Sequence, residues 1–137
     1  IDFATLTGAA QAAIGNVASV IMGTAPDSEF QLLEKSGYDV FERVVRFPMW
    51  KEYGDMILSD IADIKNTGSA YAGAITAGKF LEVFTKNDKD EAAYPWVHID
   101  IAGPAFISGA DSYRPKGATA YGVRLILDYL HKKYLTK

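Results

Sequence analysis

The stretch Gly73–Phe80, GAITAGKF, decides between two folds. A phosphate-gripping loop reads G-x-x-x-x-G-K-[S/T]: backbone N–H groups cradle nucleotide phosphates, the Lys reaches them, and the hydroxyl holds Mg²⁺. Gly73, Gly78 and Lys79 fall in register, but Phe80 stands where the hydroxyl belongs. Such a loop follows directly on an apolar strand, whereas the residues before Gly73 are the polar turn KNTGSAY. Ala74, Ala77, Leu81 and Phe84 recur at i, i+3, i+7 and i+10, so one helical face passes straight through the supposed loop. The spacing predicts a helix whose small residues sit close to a sheet. Nucleotide binding is set aside.

Outward from that helix the chain alternates. IDFATLT, ended by Gly8, reads as a buried strand, and GAAQAAIG as a short helix closed by Gly15. NVASVIMG is β-branched and predicts a second strand. PDSEFQLLEKSG opens on Pro26, Asp27 and Ser28 and is expected to stop at Gly37. DVFERVVRFP runs up to Pro48, PMWKEYGDMIL reads as another short helix, and SDIADIKNTG alternates weakly into a turn. KNDKDEAAYP and SGADSYRPKG are loops flanking the clean strand candidate WVHIDIAG. ATAYGVRLILDYLHKKY predicts a final amphipathic helix with Val123, Ile126, Leu127 and Leu130 on its apolar side. Strands alternating with helices imply an α/β fold: a three-layer-like mixed central sheet flanked by helices, truncated at its N-terminal side, with residues 1–137 as one partial domain.

With 137 residues, 49% hydrophobic and 23% charged, the composition is that of an ordinary globular chain. A net charge of −3 provides no basic field for nucleic acid or an anionic membrane. The absence of Cys removes disulfides, thiolate metal sites and a Cys nucleophile, and two His cannot build a His-rich metal centre. The apolar run from Ile1 to Gly23 lacks a cationic leader and is broken by Gly8, Gln11, Gly15 and Asn16, which fits neither a signal peptide nor a membrane span. The chain opens as though already inside a strand, and reads as a piece of a longer protein.

Complete catalytic motifs are missing: neither G-x-S-x-G nor H-E-x-x-H occurs. His98 and Asp100, two apart on the predicted strand, project from the same face. As metal ligands they lack a third partner, so they are expected to be hydrogen-bonded groups that orient the loops at the strand's carboxyl end. Asp60 and Asp63 read as caps or solvated charges, and the basic HKKY end suits a helix C-terminus. Residue chemistry alone yields an α/β module without a complete active site.

Five strings change that. IDFATLTGAA, SDIADIKNTG, AGAITAGKFL, WVHIDIAGPAF and KGATAYGVRLILDYL resemble, in order and spacing, the C-terminal part of the leucyl (cytosol) aminopeptidase family. The resemblance implies a cytoplasmic, usually hexameric metallo-aminopeptidase that hydrolyses N-terminal amino acids, often Leu, from peptides. It also implies two divalent metals, commonly Zn²⁺ or Mn²⁺, and a bicarbonate. The family's ligands are a Lys, three Asp and a Glu. A further Lys and a bicarbonate-holding Arg complete that set, all upstream of ATLTG and largely in an N-T-D-A-E-G-R motif that this chain lacks. No metal ligand or catalytic side chain is therefore assigned here, no cofactor is expected on this chain alone, and Asp60, Asp63 and Asp100 do not replace the missing set.

The resemblance assigns a pocket wall instead. Thr5, Leu6 and Gly8 match positions beside the metals, with the Leu6 backbone N–H against the bicarbonate. Thr5 and Gly8 border the pocket for the substrate's N-terminal side chain, Ala102 and Ala105 match its opposite wall, and Thr67 matches the leaving-group side. Small, mostly apolar walls favour Leu, Met or Phe over charged side chains. Departures from the family pattern lie in SAY before AGAIT, in Pro104 and Phe106, and in the charged loop TKNDKDEAAYP. The expected partners are a peptide substrate, the remainder of the same protein and further copies of it, without nucleic acid or membrane. The rival reading is a non-catalytic binding or assembly module on the same fold.

Overall fold

The computed structural model describes residues 1–135. Four strands form the main sheet: β1 (Asp2–Ala4), β2 (Ser19–Gly23), β3 (Val44–Arg46) and β4 (Val97–Asp100), in the order β1-β4-β2-β3. β1 runs parallel to β4, β4 antiparallel to β2, and β2 parallel to β3, so the sheet is mixed. The register pairs Ala4 with Asp100 and Asp100 with Val20. Because β1 and β4 point the same way, the segments that leave them emerge side by side.

Helices cover both faces. Alternation along β2 and β4 sends Ile21, Val97 and Ile99 to one side, where they pack with Phe30 and Leu33 of α2 (Asp27–Asp39) and Leu125 and Tyr129 of α5 (Val123–Tyr134). Val20 and Met22 face the other side and pack with Ala10 of α1 (Gly8–Ile14) and Ala74 of α4 (Gly73–Val83). Burying each of the larger apolar side chains contributes about 1.5–3 kcal/mol. The expected three layers are present. A short α3 (Lys51–Asp55) and a two-stranded ladder of β5 (Phe106–Ile107) and β6 (Gly117–Ala118) complete the chain. No helix among the described residues is long and apolar enough to cross a membrane.

GAITAGKF is helical, and Lys79 reaches Glu82 at 2.8 Å rather than an exposed phosphate site. The buried face is rotated from the predicted one. Ala74, Ile75, Thr76 and Gly78 are buried while Phe84 is exposed, because Gly78 lies so close to the sheet that a Cβ there would stand 2.1 Å from Met22 Sδ.

Two other expectations are corrected, the end of α2 and the buried face of the final helix. α2 continues past Gly37 to Asp39. That glycine permits a close approach, since a Cβ on it would meet the Glu42 carbonyl oxygen at 2.7 Å. SDIADIKNTG, which alternates weakly in sequence, is irregular here, and Ser59 Oγ accepts the N–H groups of Ile61 and Ala62, holding a turn.

The final helix begins at Val123, after β6, and buries Leu125 and Tyr129 while Val123, Leu127 and Leu130 are exposed. Its rotation is set from outside. Buried Glu42 accepts the N–H groups of Gly122 (3.0 Å) and Leu125 (2.8 Å) and binds Arg124 (3.1 Å), an acidic cap where the helix dipole favours negative charge.

Candidate functional site

The carboxyl ends of β1 and β4 carry the predicted wall residues, and Asp100 joins them. Its Oδ1 accepts the backbone N–H of Leu6 at 3.1 Å and of Ala102 at 3.1 Å, with a longer contact from the Thr7 N–H at 3.4 Å. Its Oδ2 accepts the Thr7 hydroxyl at 2.6 Å. The Thr7 oxygen in turn accepts the Ala10 N–H at 3.0 Å as the N-cap of α1. One buried carboxylate therefore ties together the loop after β1, the start of α1 and the loop after β4. Charge-assisted bonds of this kind are the stronger class.

Leu6, expected at the bicarbonate, and Ala102, expected on the far wall, thus share one oxygen atom. Ala105 is brought back toward the sheet by its N–H bond to the Ile101 carbonyl at 3.0 Å, while its own carbonyl accepts from Thr119 at 3.0 Å. Thr67 lies on the loop before α4, and with Leu6, Thr7, Gly73 and Thr76 it lines a cleft of about 330 Å³. Thr5, Gly8, Ala102 and Ala105 lie outside that cleft's lining. Thr5, Leu6, Gly8 and Thr67 are exposed, and Ala102 and Ala105 half-buried. The Leu6 N–H, assigned to a bicarbonate by resemblance, donates here to Asp100.

His98 and Asp100 do share a face and are both buried, but they have different partners. His98 Nδ1 donates to Asp2 Oδ1 at 2.6 Å, and Trp96 Nε1 donates to Asp2 Oδ2 at 2.6 Å. Burial works to raise the Asp2 carboxyl, yet the bonds from His98 and Trp96 outweigh it and hold the group below its ordinary range. Loop orientation at the strand end thus belongs to Asp100, while His98 braces the start of β1. Asp60 and Asp63 are exposed.

The residue that sequence reasoning missed is Thr7. A Thr before a Gly-Ala-Ala run is a readable N-cap signal, but its second bond, to a carboxylate 93 positions away, is not local.

Among the described residues, no three His, Asp or Glu side chains gather as a metal would require.

The profile of the cytosol aminopeptidase family's catalytic domain matches residues 1–127. This chain belongs to the cytosol aminopeptidase family. Among related family members, a probable cytosol aminopeptidase of Geobacter sp. (strain M21) is 46% identical over 133 residues, covering 97% of this chain and 26% of the relative. One from Chlorobaculum tepidum is 47% identical over 133 residues, covering 95% and 24%. Among solved structures, a mutant tomato leucine aminopeptidase superposes with a TM-score of 0.80 at 32% identity, covering 96% of this chain and 24% of that one. The bottromycin maturation enzyme BotP in complex with Mn gives 0.84 at 29% identity, covering 96% and 28%. This family member therefore spans about a quarter of the length of the relatives it matches, and corresponds to part of the catalytic domain.

Proposed function

We propose that this chain supplies the metal-free wall of the catalytic cleft of a peptidase that removes N-terminal, preferentially apolar, amino acids from peptides. Thr5, Gly8, Ala102 and Ala105 border the side chain of the substrate's first residue, Leu6 stands at the floor, and Thr67 borders the leaving peptide. The observation that carries this reading is the Asp100 carboxylate, which draws the Leu6 and Ala102 amides onto one oxygen. Those bonds hold the loop after β1 beside the loop after β4, where this reading puts the two sides of the side-chain pocket. A position beyond the carboxyl ends of adjacent parallel strands agrees with where open α/β sheets bind ligands.

In this reading two divalent metals, Mn²⁺ or Zn²⁺, and a bicarbonate are held by residues outside these 137. The Mn in the BotP complex supports a metal-dependent reaction for the whole protein. Such metals would polarise the peptide carbonyl and activate a water; this chain's part is to orient the substrate side chain and exclude water around it. Cytoplasmic location and hexameric assembly belong to the same proposal, and the isolated chain is inactive.

Pocket shape provides the test. In the full-length protein, Ala105→Trp should lower kcat/KM for Leu-p-nitroanilide by at least about tenfold, the scale of a lost or blocked apolar contact, and that for Ala-p-nitroanilide much less. Equal losses for both would remove Ala105 from the pocket. Robust turnover by the 137-residue chain with Mn²⁺ or Zn²⁺ alone would refute the division between wall and metal centre.

A further inference from the structure

Of the chain's four arginines, three are paired with carboxylates: Arg46 with Asp27, Arg114 with Asp111, and Arg124 with Glu42. Arg43 pairs with none among the described residues. Its guanidinium lies 4.7 Å from the centroid of the Phe41 ring, and its Nε is buried without any hydrogen-bond partner. A buried donor left unmatched is costly, and native structures leave few of them. The adjacent carboxylate offers no relief, because Glu42 is spent on Gly122, Leu125 and Arg124.

Arg43 lines a cleft of about 280 Å³ together with Phe41, Asp111, Tyr113, Arg114 and Tyr121. Its backbone is firmly held, since the Arg43 carbonyl accepts both the Tyr121 hydroxyl at 2.5 Å and the Ser19 N–H at 3.1 Å. Phe41 and Ser112, in the walls, both adopt left-handed backbone conformations, with φ of 59° and 54°. The surrounding fold holds Phe41 there with its ring exposed and the arginine's guanidinium carbon over its face. Two arginines against one aspartate leave the cleft with a net positive charge.

We propose that this cleft is a binding site for a small carboxylate, with Arg43 as its principal ligand. With Nε buried, the two terminal nitrogens are the part of the guanidinium left for a ligand, and their spacing matches the two oxygens of a planar carboxylate. One surplus positive charge suits a monoanion better than a phosphate dianion. Asp111, on the cleft wall and paired with Arg114, is the internal competitor that an incoming carboxylate must displace or work beside. None of these residues belongs to the wall around Asp100, so the site stands independently of the peptidase reading.

The test is thermal unfolding and calorimetry of the full-length protein with sodium acetate, with inorganic phosphate as a second arm and sodium chloride at matched ionic strength as the reference. Acetate should raise Tm by a few degrees over chloride, and more than phosphate does. Arg43→Gln should abolish the difference, and Asp111→Asn, which frees Arg114, should tighten acetate severalfold. If Arg43→Gln does not fold, Arg43→Lys keeps the cation without the fork and should bind acetate at least about tenfold more weakly. Equal effects of acetate and chloride, acetate binding unchanged in Arg43→Lys, or phosphate binding tighter than acetate would each overturn the assignment.

Discussion

Replacing Asp100 by Asn keeps the shape of the side chain and changes one atom's chemistry. Oδ1 still accepts from Leu6 and Ala102, each at 3.1 Å in the parent. Oδ2 becomes an NH₂ group facing the Thr7 hydroxyl, which stood 2.6 Å away as a donor. The Thr7 oxygen can keep the Ala10 N–H on one lone pair and accept the new NH₂ on the other, but its proton then loses the carboxylate that accepted it. The cost is one charge-assisted bond plus weakening of the remaining ones, about 2–3 kcal/mol. For a chain of this size about 3–5 °C of Tm accompanies each kcal/mol, so a fall of roughly 6–15 °C is expected. Thr7→Val removes the same bond from the other side, so Asp100→Asn with Thr7→Val should cost less than the sum of the two single changes. A double-mutant cycle followed by calorimetric unfolding reads that coupling, expected at about 1 kcal/mol or more. A Tm within about 1 °C of the parent for Asp100→Asn, or strict additivity, would refute the claim that this carboxylate holds the two loops.

Glu42→Gln keeps the capping oxygen but loses the charge at the α5 N-terminus and the pair with Arg124; unfolding should show a loss of about 1–3 kcal/mol. Gly78→Ala drives a Cβ onto Met22 Sδ, 2.1 Å away, and should cost about 1–3 kcal/mol by overpacking despite alanine's better helix propensity; the same change should cost less in a Met22→Ala background, where that sulfur is gone, as calorimetric unfolding would show. Burial pushes the Tyr121 hydroxyl up to about 12, against the opposing bond with Ser19 and with help from the negative Glu42. The fold therefore favours the neutral phenol, and its contribution is complete below the unfolded value near 10 and is lost as pH rises toward 12. Burial and the bond to Glu29 also raise Tyr129, so tyrosinate absorbance should show two late-titrating groups, of which Tyr121→Phe removes one. At the acid end the depressed Asp2 carboxyl stabilises the fold above its unfolded value of 3.8, and that stability is lost as pH falls through the lower folded value; Asp2→Asn should flatten the acid limb of the Tm profile.

Much of the architecture is written locally. The turn residues, the β-branched run Ser19–Gly23 and the helical spacing through Gly73–Val83 were enough to predict the strands and helices that build the layers. The same spacing removed the nucleotide-loop reading, because a loop cannot share a continuous helical face. Gly15 was legible as a helix end, since its φ of 67° suits a residue without a Cβ. Gly37 misled for the same local reason. A glycine that admits a neighbouring backbone looks, in sequence, like one that stops a helix.

What periodicity cannot encode is which side of an element finds a partner and from where. The rotation of α5 is chosen by Glu42, 80 or more positions earlier, so a pattern that placed Val123, Leu127 and Leu130 inward could not foresee Leu125 and Tyr129. His98 and Asp100 sit two apart and share a face by strand geometry alone, yet their partners are Asp2 and Thr7, more than 90 positions distant. Hydrogen bonds of buried carboxylates are satisfied by whichever donors the sheet order brings near, and that order, β1-β4-β2-β3, follows from the packing of whole layers. The chain's own chemistry specifies the pieces and their faces; their meeting at Asp100 depends on every other piece being in place.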